Sequence, residues 1–142
     1  MLASGHALFS ILIALLIYFC TGIKVSILAL MICLIGGIFP DIDEEQSVIA
    51  KKTGPIGYII SHLFSHRGLF HSLLGAGVIT FLVFLFFKIF NLGFLALWFL
   101  VGYISHLIAD SFTVAGVAWL HPFSKSVVKG KLRTGSFWEK VL

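Results

Sequence analysis

Seven side chains in this sequence have the chemistry of metal ligands and sit where apolar runs begin or end: His6, Asp41, Asp43, His66, His71, His106 and Asp110. His6 opens the first run, and Pro40-Asp41-Ile42-Asp43 closes the second. His66-Arg67-Gly68-Leu69-Phe70-His71-Ser72 opens the third, and Ser105-His106-Leu107-Ile108-Ala109-Asp110 closes the fourth. His106 and Asp110 are four apart, so on a helix an imidazole and a carboxylate stack on one face within reach of a single ion. His66 and His71 are five apart and would diverge on one continuous helix, but Gly68 offers a break that lets both face the same point. Asp41 and Asp43 follow a Gly36-Gly37 close-approach point and a helix-ending proline, whereas Glu44 and Glu45 read as a solvated turn. Imidazole and carboxylate without cysteine suit zinc, with manganese and iron as competitors. Seven ligands exceed one tetrahedral site, so two ions bridged by an aspartate are expected, a pair suited to activating water and clamping a phosphoester oxygen. Arg67, planar and permanently charged, fits either a phosphate beside the ions or a lipid headgroup.

The elements that must position these groups are hydrophobic. The chain has 142 residues, 59% of them hydrophobic and 11% charged, with a mean hydropathy of +1.08. A soluble globule carries roughly a quarter of its residues charged, so this is a bilayer composition and a single domain, residues 1–142. Four apolar segments are separable: Ala7 to Phe19, Ile23 to Phe39, Leu69 to Phe90 and Leu92 to Ile108. Each is short or marginal against the roughly 20 residues of a spanning helix. Only Thr21 to Lys24 separates the first pair and only the neighbourhood of Asn91-Leu92-Gly93 the second, so two tight helical hairpins are expected. The fold expected is therefore all-α: an integral membrane bundle of four transmembrane helices, with short interfacial helices in the 44–66 loop and in the C-terminal tail. In the tail, Trp119, Phe123, Phe137 and Trp138 alternate with Lys and Arg.

Eight of the ten basic residues fall on the side of the long loop and the tail, against Lys24 and Lys88 on the hairpin side. The positive-inside rule then places that loop and both termini in the cytoplasm. Five basic residues lie in the last eighteen positions, so the net charge of +4 is local and reads as an inner-leaflet anchor. The N-terminal run lacks a basic n-region and a convincing cleavage site and is read as retained. Phe dominates the aromatic residues, which suits lipid-facing surface better than base stacking, and a nucleic-acid partner is not expected. Cys20 and Cys33 lie in apolar runs and are assigned no chemistry.

At these residues the sequence resembles the membrane-bound metal-dependent hydrolase family, the YdjM-like inner-membrane proteins of bacteria and archaea. The resemblance spans nearly the whole chain. It rests on His6, Pro40-Asp41-Ile42-Asp43, the His66 to Ser72 block, His106 to Asp110 followed by Ser111-Phe112-Thr113, and Pro122-Phe123-Ser124. That family is in turn similar, more distantly, to zinc-dependent phospholipase C and the single-strand-specific zinc nucleases. The resemblance implies His6 on one ion, Asp41 with His66 or His71 and His106 on another, and Asp110 between them. Asp43 has no firm counterpart. The further His and Glu ligands of the soluble enzymes are not matched by His121 and Glu139, so a third ion is not implied.

The function this predicts is a metal-dependent membrane hydrolase, a di-zinc phosphoesterase acting on a lipid or lipid-linked phosphate at the cytoplasmic face. Water activated at the metals would attack phosphorus, with Asp41 or Asp43 as ligand or general base and Arg67 holding the phosphate. The competing readings are a membrane metal-ion binding or transport protein without hydrolytic activity, and a structural protein whose polar groups only join helices.

Overall fold

The computed structural model describes residues 3–43 and 69–132. Among them are four α-helices, α1 (Ala3–Thr21), α2 (Ile27–Ile38), α3 (Leu73–Ile89) and α4 (Leu95–Ser111), and a 3-10 turn, Phe39–Asp43, that continues α2. The all-α expectation holds for these residues. The helix ends follow from local polar chemistry more than from the edges of the apolar runs. Thr21 turns its hydroxyl back onto the Ile17 carbonyl at 2.6 Å, and Gly22 follows at φ +71°, where a Cβ is disfavoured. Ser26 and Ser72 each accept a hydrogen bond at 3.1 Å from the backbone N–H three residues on, so α2 and α3 start only where a hydroxyl can cap them.

Packing is organised by small residues. α2 lies most extensively against α4, α1 contacts both, and α3 packs chiefly on α4. A Cβ on Gly36 would land on the Phe99 carbonyl oxygen, and one on Gly102 on the Cys33 carbonyl oxygen, so the α2 and α4 backbones touch. Lipid tails are as apolar as leucine, so membrane helices associate through this kind of close approach and through hydrogen bonds across the seam. One such hydrogen bond joins Ser10 of α1 to Ser105 of α4 at 2.7 Å, both fully buried. Ser105→Ala should therefore lower unfolding free energy in detergent by about 0.6 kcal/mol and at most about 1.7. A shifted denaturant midpoint with unchanged helix content would register it.

A small aromatic core lies beside the seam. Tyr103, Phe99 and Leu107 are buried with Ala76 and Val117, and Phe39 meets Phe99 edge-on at 5.5 Å. Tyr103 donates to the Phe70 carbonyl at 2.7 Å, which ties the approach to α3 onto α4. The outward faces are apolar: Phe19, Ile27, Phe81, Ile89 and Leu97 are each more than half exposed, and α3 buries only Gly75 and Ala76. By length and composition, α1 is long enough to cross a bilayer at 19 residues. The remaining described helices, at 12, 17 and 17 residues, are shorter.

Two expectations need correction or placement. The 44–66 loop falls outside the described residues. The C-terminal tail is expected to form an interfacial helix; its described part, residues 112–132, instead folds as an irregular loop closed by isolated bridges, Thr113 to Leu132 and Val117 to Val128, while Phe137 and Trp138 lie outside the described residues. The reason lies in its breakers. Gly116 sits at φ +70° and Pro122 and Gly130 interrupt the rest, while the β-branched Thr113, Val117 and Val128 make the bridges.

Candidate metal centre

The helix ends bring polar side chains to one place. α4 carries His106 and Asp110 one turn apart on a buried face. α1 contributes His6 from its second turn, and the 3-10 turn after α2 swings Asp41 back over the bundle. His71 sits immediately before the Ser72 cap of α3, held where the Leu73 N–H donates to the Trp119 carbonyl at 2.9 Å. His6 and His106 are fully buried, His71 and Asp110 nearly so, and the Asp41 side chain is 18% exposed.

Five of the seven sequence-predicted ligands thus converge: His6, Asp41, His71, His106 and Asp110. Asp43 closes the 3-10 turn. Its side chain, together with His66 and Arg67, lies outside the described residues. Of the two histidines left open before α3, His71 is the one seen at the cluster.

The separations have a specific pattern. Asp41 Oδ1 stands 3.8 Å from His71 Nε2 and 3.5 Å from His106 Nε2, while its Oδ2 stands 3.9 Å from His6 Nε2. Asp110 divides its oxygens the same way: Oδ2 is 3.8 Å from both His71 Nε2 and His106 Nε2, and Oδ1 is 3.3 Å from His6 Nε2. His71 Nε2 and His106 Nε2 are themselves 3.3 Å apart. Charge-assisted N–H···O bonds are shorter, at roughly 2.7–2.9 Å. Ligand atoms on a tetrahedron with bonds of roughly 2.0–2.1 Å stand about 3.3–3.4 Å apart, close to what is seen.

Protonation points the same way. His106 Nδ1 lies 2.8 Å from the Gly37 carbonyl oxygen, which can only accept, so Nδ1 carries the hydrogen and the neutral ring turns an Nε2 lone pair into the cluster. A backbone carbonyl in this position is the usual outer partner of a metal-binding histidine. His6 stacks on His106 with ring centroids 3.7 Å apart and planes 14° from parallel. Both ring nitrogens of His6 are buried, and neither has a hydrogen bond of acceptable geometry. An imidazole nitrogen buried in an apolar bundle without a well-formed hydrogen bond is costly, and His6 Nε2, facing Asp110 Oδ1 at 3.3 Å, suits a cation between the two. His6, Asp41, His106 and Asp110 each offer a ligand atom within 4.8 Å of the others, so this buried His/Asp group can hold a metal ion.

Sequence reasoning missed the supports of these ligands. Ser10 follows His6 by one turn, donates to the His6 carbonyl at 2.9 Å and meets Ser105, the residue before His106. Two hydroxyls one turn from, or next to, a ligand in an apolar run were the available signal. The Gly37 carbonyl had none, since every residue has one.

The profile of the YdjM inner membrane protein family matches residues 1–141. The chain is 32% identical over 112 residues to the protein YvsG of Bacillus subtilis (strain 168), covering 76% of this chain and 66% of that protein. It is 35% identical over 103 residues to the inner membrane protein YdjM of Escherichia coli (strain K12) and of Shigella flexneri, covering 66% of this chain and 47% of each. The chain thus spans somewhat under two thirds of the first of these relatives and about half of the other two. No solved structure matches it significantly. With four helices gathering His and Asp at one end and a family profile covering almost every residue, the chain belongs to the YdjM inner membrane protein family.

Proposed function

We propose that the chain is a membrane-embedded phosphoesterase that holds two divalent ions, zinc foremost, and acts on a lipid phosphoester at the cytoplasmic face. The observation that carries this reading is the division of both carboxylates. Asp41 and Asp110 each turn one oxygen to the His71–His106 pair and the other to His6. His71, His106, Asp41 Oδ1 and Asp110 Oδ2 make a four-ligand set. His6, Asp41 Oδ2 and Asp110 Oδ1 make a set of three, the composition of a site with a position left for water or substrate. Ions bound there supply Lewis acidity to a phosphoryl oxygen and lower the pKa of water toward neutrality.

The protein's own part is positioning and proton handling. With both Asp41 oxygens facing histidines, Asp41 acts as ligand and Asp43, two residues on, is the base. Arg67 orients the phosphate. A lipid substrate follows from the setting: the outer faces of all four helices are apolar, including those of the three helices shorter than a bilayer. In water, contiguous apolar surface of that extent would aggregate. All four helices cross, the short ones by thinning the layer or by continuing into polar turns, and both termini are cytoplasmic.

Elemental analysis of the purified protein, paired with hydrolysis of a panel of phospholipids and isoprenoid phosphates, tests the proposal. We expect two ions per chain and phosphate release from one panel member. His6→Ala should lower the stoichiometry from two toward one and abolish release, because it empties only the three-ligand set. Two ions with no hydrolysis across the panel would instead favour a metal carrier, to be tested by zinc or manganese uptake into vesicles.

A further inference from the structure

The loop after α4 presents a surface that the metal centre does not use. Between Phe112 and Leu132 the sequence carries Lys125, Lys129 and Lys131 and no acidic residue. Its conformation is fixed from within: Thr113 and Val117 are buried and form the two bridges, and Trp119 is bonded twice. The Trp119 carbonyl accepts from Leu73 at the start of α3, and its indole Nε1 donates to Ser111 at the end of α4 at 2.8 Å. The loop therefore borders the end of the bundle where His71 and Asp110 lie.

Against that anchored interior, the outward side chains are large and apolar. Phe123 is 83% exposed, Leu120 57% and Val128 55%, and the three lysines are exposed among them. A loop with its own buried anchor gains nothing in water by presenting such groups. Phe and Leu at the tip with ammonium groups beside them match the boundary of an anionic leaflet, where apolar side chains enter the acyl edge and lysines meet phosphates. The surface is also continuous with the lipid-facing side of the helix it leaves, since Phe112 is 53% exposed.

We propose that loop 112–132 is an anionic-phospholipid binding platform, seated in the headgroup layer beside the metal centre. Its role is to set the centre at the depth of lipid phosphates and to enrich anionic lipid around it. This inference stands on exposure, charge and position, and does not depend on metal chemistry.

The test uses the full chain carrying Cys20→Ser, which removes the exposed thiol, with buried Cys33 retained. A spin label is attached through Phe123→Cys, and separately through Leu120→Cys in case the first variant folds poorly. In vesicles of phosphatidylglycerol and phosphatidylethanolamine, we expect the label to collide with oxygen several-fold more than with an aqueous nickel chelate. A label as open to the chelate as free label in water would overturn the proposal, and so would one shielded from both, which would mean that protein covers the loop. Lipid retained through purification supplies the charge readout. Phosphatidylglycerol should be enriched over the bulk membrane, and Lys125→Gln, Lys129→Gln and Lys131→Gln together should return it to the bulk ratio. No enrichment in the unaltered chain would overturn the platform. Neither readout involves metal or turnover, so failure here is distinguishable from failure of the phosphoesterase reading.

Discussion

On the two-ion reading proposed above, Asp110→Ala is expected to strip the protein of its metal. Its carboxylate, like that of Asp41, faces both histidine sets, with Oδ1 3.3 Å from His6 Nε2 and Oδ2 3.8 Å from His71 and His106 Nε2. Losing an outer partner of a metal site costs about 10–100-fold in affinity or activity, and losing a direct ligand shared by two ions should exceed about 100-fold. The helix should survive. Asp110 is buried against three imidazole nitrogens, so its loss from the apo-protein removes a partner of those rings as well as a desolvation cost, and the two effects oppose each other. The expected signature is thus metal loss by elemental analysis with helix content retained. A variant that unfolds, or one that keeps both ions, contradicts the shared-ligand role. Asp110→Asn keeps the shape and one carbonyl oxygen and should fall between the two.

Gly102→Leu is expected to be the most destabilising single change in the described part of the chain. A Cβ at 102 meets the Cys33 carbonyl oxygen and the Gly37 backbone nitrogen, and neither can rotate away as a side-chain tip could. Overpacking a tight interior costs about 1–3 kcal/mol and sometimes more, and a clash with two backbone groups belongs at the upper end. The consequence reaches the metal centre, because α4 must back away from α2 and withdraw His106 from the Gly37 carbonyl. Gly77→Leu is the control. A Cβ there meets nothing within 4 Å, so its denaturant midpoint in detergent should shift by about 0.5 kcal/mol or less. Equal destabilisation by the two substitutions would refute the close-approach account.

Most of the architecture was legible because hydrophobicity in a chain this apolar is interrupted only where something must happen. The two hairpins were marked by Thr21-Gly22 and Asn91-Leu92-Gly93, and the structure turns at Gly22 (φ +71°) and Asn91 (φ +58°). The convergence of five candidate ligands was legible for the same reason: an imidazole or carboxylate at the edge of an apolar run is expensive unless something offsets it. The helix boundaries were less legible. The apolar run from Leu69 continues through the Ser72 cap, and hydropathy does not register a hydroxyl accepting from the Gly75 N–H. The described part of the tail, residues 112–132, departs from the expected helix because Trp, Phe and Lys alternate in an interfacial helix and in a bridged loop alike, and only the placement of Gly116, Pro122 and Gly130 separates them. The splitting of each carboxylate between two histidine sets was beyond reach, since it depends on side-chain rotation and on the angle at which the 3-10 turn leaves α2.

The His106 hydrogen bond has one further implication. Its acceptor is main chain, a carbonyl in the last turn of α2, so the bond draws on no side-chain chemistry at residue 37. The tautomer that readies this imidazole is written into the winding of a neighbouring helix. Whatever stretches or tightens that final turn moves the acceptor, and with it the direction in which the His106 ring faces Asp41 and Asp110.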